Sequence, residues 1–162
     1  MGAVTYPDDR VAALLTERFN LYKLDLSTPH EDFRAASGGA PVPWAPTFRF
    51  CDRRGREVRR LVGWLPPEGF LAELHLTLGL QDIARGRFAD AEAAMGRIAD
   101  RWPEAAAAPE ALYWAGMAAF QDGQRDMHRL HQGWQALRQR YPDSTWAERA
   151  SVIDDWKGAQ AH

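Results

Sequence analysis

One cysteine, Cys51, is all the thiol that this chain of 162 residues contains. An internal disulfide is thereby excluded, as is a Cys-x-x-Cys redox pair within these residues, so pairing carries no information on redox compartment. Long apolar runs are missing too, and no segment approaches the ~20 residues that a membrane-spanning helix needs. The opening residues, Met1-Gly2-Ala3-Val4-Thr5-Tyr6-Pro7-Asp8, have neither the basic flank nor the apolar core of a secretory signal. Gly2 followed by Thr5 and Tyr6 is a poor match for myristoylation. A cytoplasmic protein with no membrane partner is the expectation. An excess of either charge is also lacking: 20 basic residues face 22 acidic ones, for a net charge of −2. That balance argues against a broad polyanion-binding surface, so no nucleic-acid partner is expected.

What is present suits ordinary globular folding. Hydrophobic residues make up 46% and charged ones 26%, enough to bury one domain or two small ones. The first half mixes two periods. Val11, Leu14, Leu15 and Phe19 fall on one helical face behind Asp8, a natural N-cap. From Asn20 to Leu26 the spacing changes to alternation, with Tyr22, Leu24 and Leu26 on one side, which predicts a strand. Pro29 with Glu31 and Asp32 opens a short helix, and Gly38-Gly39 closes it. Pro41, Pro43 and Pro46 make residues 40–46 an irregular approach. A hairpin follows over Thr47 to Gly63, turning at Arg53-Arg54-Gly55, with Phe48 and Phe50 sharing a face.

Beyond Pro66-Pro67 only the helical period remains. Apolar positions mark a helix through Leu74, Leu78 and Ile83, then others ended by Pro103, Gly123 and Pro142, and a last one capped by Ser144. The short gaps between them predict antiparallel neighbours. Two segments repeat. Leu78-Gly79, Gly86, Phe88, Ala91 and Pro103 stand at the offsets of a tetratricopeptide repeat, and Ala115-Gly116, Gly123 and Pro142 follow in similar order with a small insertion. Ile98…Arg101-Trp102-Pro103 parallels Leu137…Arg140-Tyr141-Pro142. The spacing is slightly above the tetratricopeptide period of ~34 residues. Arg140 to Ala147 also looks like the link between repeats in bacterial tetratricopeptide-like scaffolds, and would begin a third, unfinished repeat.

The first half resembles the thioredoxin family. The residues that carry the likeness are Thr5-Tyr6-Pro7-Asp8-Asp9-Arg10-Val11, Phe19 to Leu26, Ala45-Pro46-Thr47-Phe48, Asp52 to Glu57, and Leu61 to Glu68. In that family the proline of such a turn is usually cis, and it exposes backbone to an extended substrate beside Cys-x-x-Cys. The resemblance thus implies a peptide contact at Trp44, Ala45, Pro46 and Thr47. It also implies that the family's central strand and its cysteine motif would precede Met1. Without them two strand edges lack partners. The hairpin would then slide against Tyr22–Leu26, another copy would supply pairing as a homo-oligomer, or the native chain would begin upstream.

The remaining candidate residues are each set against a plainer role. Cys51, near Arg49 and Arg53, is a sensor or nucleophile only if its pKa is depressed, and a buried or half-buried structural cysteine is the preferred reading. His128 and His131 share a helical face at a spacing that suits metal ligands, but no second ligand pair accompanies them, so no metal site is expected. His30, His75, His162, Asp126, Asp154 and Asp155 form no pattern with catalytic spacing. Arg53, Arg54, Arg56, Arg59 and Arg60 gather positive charge at the hairpin, where a solvated turn competes with a site for an acidic or phosphate-bearing partner. Of the seven tryptophans, Trp102, Trp114, Trp134, Trp146 and Trp156 belong to the helical half, chiefly as packing residues. Trp64 is expected to pack against the following helix. Trp44 stands apart in the proline-rich loop.

The expected architecture is α/β plus all-α. A partial thioredoxin-like sheet of about three strands occupies 1–79 and antiparallel tetratricopeptide-like helix pairs occupy 71–158, with the closing helix shared. The expected function is a non-catalytic module that binds a protein or peptide, with no cofactor and no catalytic residue. The alternative is a thiol–disulfide oxidoreductase whose Cys-x-x-Cys segment lies upstream.

Overall fold

A computed structural model describes residues 8–24, 30–39, 42 and 44–154. Among these, seven helices and two strands follow in the order α1 (Asp9–Arg18), α2 (His30–Ser37), β1 (Thr47–Cys51), β2 (Glu57–Val62), α3 (Pro67–Ala84), α4 (Phe88–Arg101), α5 (Ala107–Asp122), α6 (Met127–Arg140) and α7 (Thr145–Ala150). The chain is therefore helix-rich, with one small antiparallel sheet. It divides into two compact units, Met1–Leu71 and Ala72–His162, and the division falls inside α3. None of the helices described is long and apolar enough to cross a membrane.

In the first unit, local chemistry sets the helix ends. The Asp8 carboxylate accepts from the backbone N–H groups of Arg10 and Val11 and so caps α1 as its sequence predicts. Val11 and Leu15, one turn apart, are buried. α2 ends at Gly38 and Gly39, both with positive φ, where the Gly39 N–H reaches the Arg34 carbonyl and the Gly38 N–H that of Ala35. That is a Schellman stop, which glycine enters without the steric cost of a Cβ.

β1 and β2 pair from Thr47↔Val62 to Cys51↔Glu57, with a bulge where Val58 has no opposite residue. The turn between them is held by the Asp52 carboxylate, which accepts from the backbone N–H groups of Arg54 and Arg56, and by Gly55 at positive φ. Period-two alternation then divides the side chains. Phe48 meets Phe70 at 4.8 Å and Phe50 meets Phe19 at 5.9 Å, ring to ring, on one face. Arg49 is aimed the other way, donating to the Ala36 carbonyl at the end of α2. A cation there complements the negative end of the helix.

Three expectations fail in this unit. Residues 20–24 form no strand, and Tyr22 is 73% exposed rather than turned inward; Asp25 and Leu26 lie outside the described residues. Alternation selects a face only where a neighbouring strand takes up the backbone hydrogen bonds, and among the described residues the sheet has two strands instead of about three. Cys51 is exposed, because it ends β1 at the bulge beyond the Phe48/Phe50 face. Trp64, expected to pack on the next helix, is 54% exposed. Ser27, Thr28, Pro29, Pro41 and Pro43 lie outside the described residues, as do Thr5, Tyr6 and Pro7.

The second unit is a succession of helix pairs. Gly79 of α3 lies against Met95 of α4, and His75 stacks on Trp102 at 5.2 Å, so the two helices run antiparallel. α5 and α6 repeat the arrangement: Gly116 lies against the Trp134 ring, and Asp122 pairs with Arg129. α4 buries Ala91, Met95, Ile98 and Ala99, while α6 buries Leu130, Trp134 and Leu137, each set a stripe of helical period. α5 packs against both neighbours. Its buried positions are Ala107, Ala108, Ala111, Gly116, Ala118 and Ala119, and small residues on more than one face let helices approach it from two sides.

Polar contacts along α4 and α6 show that those two helices run in the same direction. Glu92 meets Arg129 at 2.6 Å near their starts, and Asp100 meets Arg140 at 3.0 Å near their ends. Arg140 also donates to the Ala99 carbonyl, and the Tyr141 hydroxyl to that of Pro103. Burial of Tyr141 pushes its phenol above the usual pKa. Arg101 lies over Trp102 and Arg140 over Tyr141, so the matching sequence ends carry matching cation–π contacts. Trp102 and Trp134 are buried as packing residues.

Candidate functional site

The exposed strip on the first unit grows out of the hairpin's open end. The Ala45–Pro46 peptide is cis. The Pro46 carbonyl accepts from the Gly63 N–H at 2.8 Å, extending the ladder one step past Thr47↔Val62. The Thr47 hydroxyl turns back to the Trp44 carbonyl at 2.5 Å. Thr47 is therefore spent on holding the turn, and the outward chemistry belongs to its neighbours. Trp44 is 69% exposed and Ala45 is exposed, while Pro46 and Thr47 are half-buried. Val62 and Trp64, on the partner side of the same end, are exposed as well. Two indole rings and a valine are thus left in water near one end of a two-stranded sheet. The Trp64 and Val62 half of this group escaped the sequence analysis. The run Leu61-Val62-Gly63-Trp64 matches a buried strand end equally well, and only its tertiary surroundings leave it exposed.

The other end of the hairpin is charged. Arg49 and Arg60 both hold Glu57, at 2.5 and 2.7 Å. The Arg60 guanidinium, and after it that of Arg49, holds the Glu57 carboxyl down at about 2. Arg56 hydrogen-bonds Asp52 and likewise lowers its carboxyl pKa. Arg53 and Arg54 are exposed at the turn. Cys51 lies beside them as a free thiol.

In the second unit, aromatic side chains gather where α5, α6 and α7 meet. Tyr113 stacks on Trp134 at 4.7 Å, meets Trp114 edge-on at 5.6 Å and Trp146 at 5.1 Å. Trp134 Nε1 donates to the Tyr113 carbonyl, and Trp114 Nε1 to Glu110. Arg149 covers Trp146 at 4.5 Å. Trp134 is buried, whereas Tyr113, Trp114 and Trp146 keep part of their surface in water. Tyr113 is the hub of the cluster and was not singled out from sequence. It holds no repeat position, and its adjacency to Trp146 is long-range. Trp156 lies outside the described residues.

The other candidates do not converge. His128 faces the Gln132 amide at 3.0 Å, and Asp126 is occupied as the cap of α6. Asp154 pairs with Arg138. His75 stacks on Trp102, and His30 is exposed at the start of α2. Asp155 and His162 lie outside the described residues. Among the described residues no group of three or more His, Cys, Asp or Glu side chains could hold a metal ion. In comparisons with known proteins, no family model matches this sequence, and no curated protein or solved structure is detectably similar to it.

Proposed function

We propose that the chain is a non-catalytic interaction module that grips an extended peptide or a partner protein, on a thioredoxin-like sheet remnant followed by tetratricopeptide-like helix pairs. The observation that carries this reading is the exposure of Trp44, Val62 and Trp64 around the Ala45-Pro46-Thr47 turn. A folding core gains nothing from indoles left in water, whereas large aromatics at the centre of a contact surface supply much of the energy of an interface. The helix pairs support it through their repeated contacts, Gly79 on Met95 and Gly116 on Trp134. The half-exposed Tyr113, Trp114 and Trp146 are the second contact area.

The test is selection of binders from a displayed random peptide library with the whole chain, followed by fluorescence anisotropy of the enriched peptides. Trp44→Ala is expected to weaken binding by at least about 30-fold, the equivalent of a 2 kcal/mol hot spot. Its melting temperature should stay at the wild-type value, because the ring is exposed. An empty selection refutes the proposal, as does undiminished binding by both Trp44→Ala and Trp114→Ala.

A further inference from the structure

Charge is distributed unevenly along this chain. Residues 47–63 hold six arginines against two carboxylates, although the chain as a whole is net acidic. Both carboxylates are already engaged: Asp52 by Arg56, and Glu57 by Arg49 and Arg60. Arg53 and Arg54 stand at the turn, exposed, and no carboxylate partner for either is found among the described residues. A hairpin tip needs no such excess for folding. Asp52 offsets part of the repulsion between these like charges, and an anion bound from outside would relieve the rest.

The opposite end of the same hairpin is the apolar surface of Trp44, Val62 and Trp64. From Gly55 to Trp64 an extended chain runs roughly 30 Å at ~3.3 Å per residue. One ligand of about nine extended residues would therefore reach both ends.

We infer that the segment gripped by this module is an acidic–apolar peptide, with its carboxylates at the Arg53-Arg54 tip and its apolar side chains at the Trp44/Trp64 end. The inference rests on the interaction reading above and specifies the partner's chemistry. A protein segment fits better than a nucleic acid for an electrostatic reason. A duplex carries a charge every ~1.7 Å and is held by many phosphate contacts, which a pair of exposed arginines at one hairpin tip does not supply. A few carboxylates feel only the charges within the Debye length of ~8 Å at physiological salt, and there the arginines dominate.

The experiment uses the whole chain and three fluorescein-labelled probes: a peptide with a glutamate-rich half and a leucine/tryptophan half, its counterpart with glutamine for every glutamate, and a single-stranded oligonucleotide. Anisotropy titrations should show the glutamate peptide binding at least about tenfold more tightly than the glutamine one, with the gap narrowing as salt rises. Arg53→Gln/Arg54→Gln should close most of the gap and Arg53→Glu/Arg54→Glu should abolish or reverse it, both with unchanged circular dichroism. Trp44→Ala should weaken both peptides alike. Equal, Trp44-dependent binding of the two peptides overturns the acidic class and leaves the interaction module standing. Binding of neither peptide counts against both readings. Tighter binding of the oligonucleotide, lost in the arginine variants, overturns the inference in favour of a nucleic-acid partner.

Discussion

Gly116 and Gly79 occupy matching places in successive helix pairs, yet adding one methyl group to each should have opposite consequences. A Cβ on Gly116 would lie 2.7 Å from Trp134 Cδ1 and 3.0 Å from Nε1. That ring has nowhere to go: it is buried, stacked on Tyr113 and hydrogen-bonded to the Tyr113 carbonyl. Gly133 adds to the crowding, since a Cβ there would come within 3.0 Å of the Gly116 Cα. A Cβ on Gly79 would come 2.8 Å from Met95 Cε and 3.1 Å from its Sδ, but these are the far end of an unbranched side chain. Methionine adapts by rotating its terminal bonds.

Gly→Ala in a helix interior contributes about 0.8–1 kcal/mol of helix propensity. Overpacking a rigid site costs about 1–3 kcal/mol. For Gly79→Ala the propensity gain and a small readjustment of Met95 nearly offset each other, so the change should lie within about 0.5 kcal/mol of zero or be slightly stabilising. For Gly116→Ala the clash prevails, and a net loss of up to about 2 kcal/mol is expected. Urea titration followed by far-ultraviolet circular dichroism measures both. Trp134→Leu should be destabilising by itself but should suppress the further cost of Gly116→Ala, a coupling visible in the double-mutant cycle. If Gly116→Ala stabilises as much as Gly79→Ala, or if the coupling is zero, the tight α5–α6 approach is refuted.

Two other perturbations test the hairpin and the last helix. The Glu57 carboxyl sits at about 2 against an ordinary 4.5, so its ion pairs with Arg60 and Arg49 stabilise the fold above pH 4.5. That stabilisation fades as pH falls towards 2, and the destabilisation caused by Glu57→Gln should shrink over the same window. A Glu57 pKa near 4.5 in a carbon-detected titration of the folded chain would contradict the cluster. Ser144 caps α7 through its hydroxyl, which accepts from the Ala147 N–H at 3.0 Å. Ser144→Ala should therefore cost about 1 kcal/mol and raise amide exchange first in α7; unchanged exchange there would show that packing of Ala147 and Ala150 holds the helix unaided.

The parts of the fold legible in the sequence are those governed by neighbours a few residues away. Asp8 and Ser144 cap helices, and Gly38-Gly39 and Pro142 mark their ends, because capping and φ restrictions act within one turn. The helical period placed Met95, Ile98, Leu130, Trp134 and Leu137 inward, and the parallel order of Trp102-Pro103 and Tyr141-Pro142 announced two similar pairs. Of the candidate contact strip, Trp44 was visible as a tryptophan in a proline-rich loop.

What the tertiary structure decided depends on partners far along the chain. The alternation at Tyr22 and Leu24 was real as a pattern, yet a strand exists only where another backbone completes its ladder, and among the described residues none pairs with this segment and Tyr22 is in water. Trp64 and Val62 are likewise left facing water, and Cys51 is exposed where β1 ends at the bulge. Tyr113 became the centre of an aromatic cluster because α5 is lined with alanine and glycine, so that α6 and α7 come close enough to bring Trp134 and Trp146 to its ring. Short-range stereochemistry wrote the elements into the sequence. Which of their surfaces meet and which face water was settled only by packing between residues remote in the chain, where no local period reports it.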